Sequence, residues 1–301
     1  MSQAILSKSV IHSFYGKGPD YSYWSGCSQG GRQGLMLAQR FPDAYDGISA
    51  GAPAINWVRF FPAIQGPQQV MNELREYPPV CEMDAIVAAA VDACDGYDGV
   101  VDGIIGEALQ CLDTFDPFSV VGTAINCTQL NSTVSVSRAA AIVVNATWHG
   151  ITTAEGKFEW YGILPGADLT GTSPKSYGQS GVAATTCNGT ACVGSPHVLG
   201  QEWLQLFIVK DPSFDFGNLT RKQFDWLMHL SIMEYSSIID TSEPDLSVFR
   251  DNGGKIITFH GLVSWLLPPS IVADPYIPYN LPHHYGRERR RMTYLSCTTY
   301  P

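Results

Sequence analysis

The hydrophobic positions change period several times along the chain, and each change marks a change of element. Ile5, Leu6, Val10 and Phe14 recur at near-helical spacing between Ser2 and Tyr15, with Gly16 where such a helix would stop. The spacing predicts a helix that packs on a sheet. Tyr21, Tyr23 and Trp24 then form a short aromatic run, followed by a small-residue turn at Gly26, Ser28 and Gly30 and by a helical stretch carrying Leu35, Leu37, Ala38 and Phe41. Asp46 to Ala54 (DGISAGAPA) is a β-compatible run that ends in Gly, Ala and Pro, as a buried parallel strand often does. Residues 1–60 therefore read helix, strand, turn, helix, strand, which is the grammar of an α/β domain.

Over residues 61–243 the grammar changes to helices separated by loops rich in Gly, Ser, Thr and Asn. Glu82 to Cys94 carries Ile86, Val87, Ala90 and Val91 on one side; Ser137 to Trp148 is a second helix, stopped by Gly150. A third begins at Thr220, where Gln223 completes a capping-box pattern. This region reads as a large, mainly helical and loop-rich lid inserted into the α/β core. After it, Gly253 and Gly254 turn the chain into a buried strand, Lys255 to His260, so residues 244–301 resume the core.

A formal net charge of −10 excludes a nucleic-acid partner, because phosphate binding needs a surplus of Lys and Arg. The basic cluster of Arg287, Arg289, Arg290 and Arg291 reads as a solvated face or tail. No run is apolar enough to span a bilayer. Eight cysteines, with Asn-x-Ser/Thr sequons at Asn126, Asn131, Asn145, Asn188 and Asn218, point to an oxidising, secretory setting. The first residues, however, have no apolar core of signal-peptide length. Cys187 and Cys192 are close enough to close a small loop, Cys94 and Cys111 would bracket an acidic loop, and Cys81 with Cys127 is a third pairing that sequence leaves open.

Two stretches carry chemistry. Gly26-Cys27-Ser28-Gln29-Gly30 has the Gly-x-Ser-x-Gly pattern in the strand–turn–helix context that a nucleophile elbow requires, although small residues also cluster in ordinary turns. As an elbow it would present Ser28 Oγ, with the Gln29 N–H as an oxyanion donor. Cys94 to Ile105 (CDGYDGVVDGII) crowds Asp95, Asp98 and Asp102 among glycines. A hard cation such as Ca²⁺ would relieve their repulsion, without EF-hand spacing; a solvated acidic loop is the alternative. Asp274, beyond the last strand, is the triad-acid candidate by chain order, or else the start of an Asp-Pro turn.

With Ser28, the acidic loop and Asp274 in view, the chain resembles the tannase and feruloyl esterase family. The segments that carry the resemblance are YSYWSGCSQGGRQGLMLAQRFPDAYDGISAGAPA (Tyr21 to Ala54), CDGYDGVVDGII, PDLSVFRDNGGKIITFHG (Pro244 to Gly261) and ADPYIPY (Ala273 to Tyr279). It implies an α/β-hydrolase core, a lid, secretion, glycans, disulfides and phenolic-ester substrates, feruloyl or galloyl esters of plant polymers. It further implies Ser28 as nucleophile, Asp274 as triad acid, and a structural lid Ca²⁺ held by Asp95, Asp98 and Asp102 with the carbonyls of Val100 and Ile104. Cys27 matches a cysteine that the family pairs with one directly after its catalytic histidine. No His-Cys pair occurs in these 301 residues, so the expectation is that both partners lie beyond Pro301 and that further strands and a signal peptide precede Met1. Val263 to Val272 (VSWLLPPSIV) reads as an insert interrupting the family's continuous form. A catalytically dead ligand-binding homologue and a non-functional fragment are the alternative readings.

Overall fold

The computed structural model describes residues 2–173 and 181–261. In chain order the principal elements are α1 (Ser2–Tyr15), β1 (Tyr23–Cys27), α2 (Gln29–Arg40), β2 (Gly47–Gly51), α3 (Trp57–Ile64), α4 (Gly66–Leu74), α5 (Val80–Cys94), α6 (Ala108–Thr114), β3 (Ala124–Cys127) and β4 (Ser132–Ser135). They continue with α7 (Arg138–His149), β5 (Ile151–Thr152), β6 (Phe158–Trp160), β7 (Thr185–Asn188), β8 (Ala191–Gly194), α8 (Val198–Glu202), a π-helical stretch Trp203–Val209, α9 (Arg221–Ile239), α10 (Ser247–Asp251) and β9 (Lys255–Phe259). The described chain divides into a sheet unit, residues 2–57 and 240–261, and a helical unit, residues 58–173 and 181–239. The change of pattern along the sequence predicts the divisions at 60/61 and 243/244.

In the sheet unit β1, β2 and β9 pair in parallel with β2 central, in the register Trp24↔Ile48↔Ile256 and Gly26↔Ala50↔Thr258. The strand read from residues 255–260 thus joins the strand read from residues 46–54, although the whole helical unit lies between them in sequence. One sheet face packs Ile48 and Ala50 with Leu37 and Ala38 of α2 and with Phe249, while Trp24 and Ile256 close the edges. On the other face the central strand has glycines: a Cβ on Gly47 would lie 2.8 Å from the Tyr23 ring, and one on Gly51 2.7 Å from the Phe259 ring. These neighbours lie across the strand where a side chain would stand.

Helix α1 forms as its spacing predicts, but it does not pack the predicted way. Ile5, Leu6, Val10 and Phe14 are 57–79% exposed, and the covered line is Ala4, Lys8 and Ile11, with Lys8 Nζ donating to the Ala44 carbonyl at 2.8 Å. An i, i+4, i+7 line through small and amphipathic residues has taken the inward side, a choice that apolar spacing alone does not rank.

The helical unit buries Phe60, Met71, Met83, Ile86, Leu204, Phe224 and Met228 in its core. Helix α7 starts on Ser137, whose hydroxyl accepts from the Ala140 N–H at 3.1 Å, and stops at Gly150 with φ 87°. Helix α9 starts on the predicted capping box: Gln223 Oε1 accepts from Thr220 N–H at 2.9 Å and Thr220 Oγ1 accepts from Gln223 N–H at 3.4 Å. Beyond these helices the region also carries three antiparallel hairpins, β3–β4, β5–β6 and β7–β8. In one of them Cys187 and Cys192, predicted to close a small loop, face each other across β7 and β8. Disulfides join Cys81 to Cys127, Cys94 to Cys111 and Cys187 to Cys192, which closes the pairing that sequence left open.

Candidate active site

Ser28 sits between the last residue of β1 and the first of α2, at φ 56° and ψ −116°. A positive φ on a serine is costly, on the order of 1–3 kcal/mol, and persists only where the surroundings over-determine it. Here three backbone bonds do so: Ser28 N–H donates to the Gly51 carbonyl at 2.9 Å, while the Ser28 carbonyl accepts from Arg32 N–H at 3.0 Å and Ala54 N–H at 3.1 Å. Strand β2 and the turn after it therefore pin the residue from one side and α2 from the other.

The glycines around the turn have separate duties. A Cβ on Gly26 would lie 2.6 Å from the Gly30 carbonyl carbon, one on Gly31 2.7 Å from the Gly51 oxygen, and one on Gly34 2.8 Å from Ile48 and Trp24. Gly26 allows the tight turn; Gly31 and Gly34 let α2 lie against β2. Gly30, the second glycine of the motif, faces open space, and the close approach of helix to strand is made at Gly31 and Gly34. Trp24 Nε1–H donates to the Gly30 carbonyl at 2.9 Å and ties the start of α2 back to β1.

Gln29 is exposed at the first position of α2, where an N–H has no partner within the helix and the dipole favours negative charge. One turn on is a group that the motif did not reveal. Arg32 is buried, its Nε donates to Gln29 Oε1 at 2.8 Å, and its guanidinium lies 5.3 Å from the centre of the Trp57 ring. Burial lowers its pKa from the ordinary arginine value, and the charge of Asp240 acts the other way. The sequence signal was a lone guanidinium in the glycine-rich helix start GGRQG. Among the described residues no imidazole hydrogen-bonds to Ser28 Oγ. Asp274 and the Val263–Val272 segment lie outside the described residues.

The acidic stretch folds within the helical unit as a short 3₁₀ turn, Asp95–Asp98, followed by a loop with Gly99 and Gly103 at φ 87° and 80°. Asp95 is buried; its Oδ1 accepts from the N–H groups of Asp102 at 3.2 Å and Ile104 at 3.1 Å, and its Oδ2 from Gly103 at 2.9 Å. The bond from Gly103 leads in holding this carboxylate below the usual aspartate range. Asp98 Oδ1 accepts from Val100 N–H at 2.9 Å. Among the described residues none of the three carboxylates forms an ion pair, and no three acidic, His or Cys side chains gather as a metal-holding group. The donor set is oxygen only, which suits a hard cation, and Asp95 spends three acceptor positions on the loop backbone, leaving room for about one more.

A serine raised on a positive-φ turn between a parallel strand and a helix has the geometry of the nucleophile elbow of α/β-hydrolase-type serine hydrolases. Comparison with known proteins narrows the class. The sequence model described as "Tannase and feruloyl esterase" matches residues 2–274, and the chain belongs to that family. A probable feruloyl esterase of Arthroderma benhamiae is 36% identical over 267 residues, covering 88% of this chain and 47% of the relative. The tannase of Aspergillus oryzae is 26% identical, covering 96% and 52%. Among solved structures, the tannin acyl hydrolase from Aspergillus niger superposes with a TM-score of 0.80 at 29% identity, over 90% of this chain and 49% of the other. Feruloyl esterase B from Aspergillus oryzae, at 22% identity, shares the fold with a TM-score of 0.71. The chain spans about half the length of these relatives.

Proposed function

We propose that this chain is part of a serine-type carboxylic ester hydrolase acting on phenolic esters, such as feruloyl or galloyl esters of plant polymers. The observation that carries this reading is Ser28 held at positive φ by three backbone bonds at the head of α2. Its hydroxyl would attack the ester carbonyl while an imidazole takes the proton and Asp274 orients that imidazole. The tetrahedral oxyanion would form at the start of α2, where the Gln29 N–H and the helix dipole meet negative charge. The alcohol then leaves with the proton, and water resolves the acyl group from Ser28. Secretion and glycosylation belong to the same proposal; of the five sequon asparagines, Asn145 alone is not exposed, lying half-buried in α7.

A structural Ca²⁺ in the acidic loop is part of the reading, held by Asp95, Asp98 and Asp102 with the carbonyls of Val100 and Ile104. Support comes from the oxygen-only donors and from carboxylates that no described cation neutralises. Thermal unfolding with added Ca²⁺ and with chelator is the check: Ca²⁺ should raise the melting temperature, and Asp98→Asn with Asp102→Asn should remove the rise. An unchanged melting temperature would reject the ion.

Hydrolysis of methyl ferulate and methyl gallate by the purified chain, beside its Ser28→Ala variant, tests the chemistry. The expected result is turnover that falls to background in Ser28→Ala; turnover indifferent to that change would reject the assignment. The second reading is a ligand-binding homologue without catalysis. Saturable binding of methyl ferulate with no release of acid would select it.

A further inference from the structure

Sequence alone gives α2 a weak beginning. Ser28 occupies its N-cap position, yet the serine side chain makes no capping bond to the helix. A serine there ordinarily secures an N–H of the first turn. The residues that follow are Gln29, Gly30 and Gly31, and glycine loses more freedom than any other residue when it is fixed in a helix. Helix ends fray, and an uncapped, glycine-rich one has little of its own to prevent it. Fraying would move the Gln29 N–H, the donor proposed to meet the oxyanion.

Arg32 is placed to hold that turn. Its backbone N–H donates to the Ser28 carbonyl at 3.0 Å, and its Nε donates to Gln29 Oε1 at 2.8 Å, three residues back. Helical side chains lean toward the N-terminus of their helix, so a residue can close on the one three positions before it. The two ends of this bond are unequal. Gln29 is exposed, whereas Arg32 is buried, with its guanidinium 5.3 Å from the centre of the Trp57 ring and with the charge of Asp240 acting on it. The fixed partner is therefore the arginine, and it fixes the amide. A guanidinium carries donors only, so the amide meets it through oxygen, and a bond from a charged donor is roughly twice as strong as a neutral one. Trp57 stands at the end of the segment after β2, and from that segment the Ala54 N–H also donates to the Ser28 carbonyl, at 3.1 Å. Arg32 thus ties Gln29 to the same segment that pins Ser28. We infer that Arg32 is a positioning residue for ester cleavage: through the Gln29 side chain it keeps the Gln29 N–H aimed at the oxyanion. The inference rests on the reading of Ser28 as the nucleophile.

The test is the rate at which ethyl p-nitrophenyl methylphosphonate labels the chain. The serine oxygen bonds to phosphorus, p-nitrophenolate leaves with its electron pair, the hydroxyl proton passes to solvent, and the phosphoryl oxygen stands where the oxyanion would. Mass spectrometry should place the label on Ser28 and find none in Ser28→Ala; a parent chain without that label overturns the nucleophile reading, and the inference with it. Given the label, Arg32→Met keeps an apolar stem and removes the Nε–H, and should lower the saturating rate constant about tenfold or more with the half-saturating reagent concentration nearly unchanged. Gln29→Ala, at an exposed position, should do the same. The double variant should be no slower than the slower single one, because the two side chains form one link. Parental rates in the single variants, losses that multiply in the double variant, or an effect on the half-saturating concentration alone overturn the inference and leave Ser28 as nucleophile. Should Arg32→Met fail to give a cooperative melt, Gln29→Ala decides by itself: a lowered saturating rate supports the inference and a parental one overturns it.

Discussion

Ser28 and Asp95 both sit on irregular turns, one in each unit, and the two turns are held by different means. In the sheet unit, backbone is pressed against backbone: Gly26 against Gly30, Gly31 against Gly51, with a positive φ at the residue between. In the helical unit a charged side chain gathers three N–H groups, and the disulfide Cys94–Cys111 closes the segment around it. The first device fixes a hydroxyl at the cost of strain, as a site for chemistry does. The second relieves strain and fixes a loop. The helical unit carries two further covalent ties, Cys81–Cys127 and Cys187–Cys192.

Four substitutions would break or sharpen this contrast. The largest effect is expected from opening the staple: Cys94→Ser with Cys111→Ser, 17 residues apart, should destabilise the helical unit, by about 3 kcal/mol for a loop of that length. Denaturant unfolding followed by the tryptophans would measure it. Next, Gly31→Ala places a Cβ against the Gly51 oxygen and should destabilise the sheet unit by about 1–3 kcal/mol, with loss of the proposed esterase activity if the Ser28 turn moves. Gly30→Ala, in open space on the same helix, should instead stabilise by about 0.5–1 kcal/mol through propensity alone. A pair of melting temperatures that shift in the same direction would contradict the division of duties among these glycines.

The smallest effect concerns pH. The Asp95 carboxylate is held below its ordinary range, so its stabilising contribution is present at neutral pH and lost as pH falls through the lowered folded value, below about 4. Melting curves taken from neutral to strongly acid pH should show the native protein losing more stability in that acid range than Asp95→Asn does. Parallel curves would mean that the three N–H bonds do not depend on the charge.

Much of this was legible in sequence wherever one local rule decided the outcome. The capping box at Thr220 and Gln223, the stop at Gly150, and the strand–turn–helix around Ser28 all follow from residue type at fixed offsets. The hairpins of the helical unit were not legible, because β3 to β8 are two to four residues long and too short to show a period. The inward side of α1 was misread because Ala4 and Lys8 give no hydrophobic signal. At the candidate site, the place of Ser28 between a strand and a helix was legible, while the setting of Arg32 was not: Gln29 and Trp57 converge on it, and only the fold brings Trp57 there. The acidic loop was legible as a set of charges. That Asp95 would turn onto its own backbone depended on dihedrals at Gly99 and Gly103.

The central claim is that the Ser28 hydroxyl attacks the ester, and trapping the acyl intermediate reads this without depending on fast turnover. The purified chain is mixed with p-nitrophenyl ferulate, quenched in acid, digested and mapped by mass spectrometry. The account predicts a feruloyl group on the peptide containing Ser28, absent from Ser28→Ala. A feruloyl group on another residue, or ester cleavage that survives Ser28→Ala with no adduct at Ser28, would contradict it.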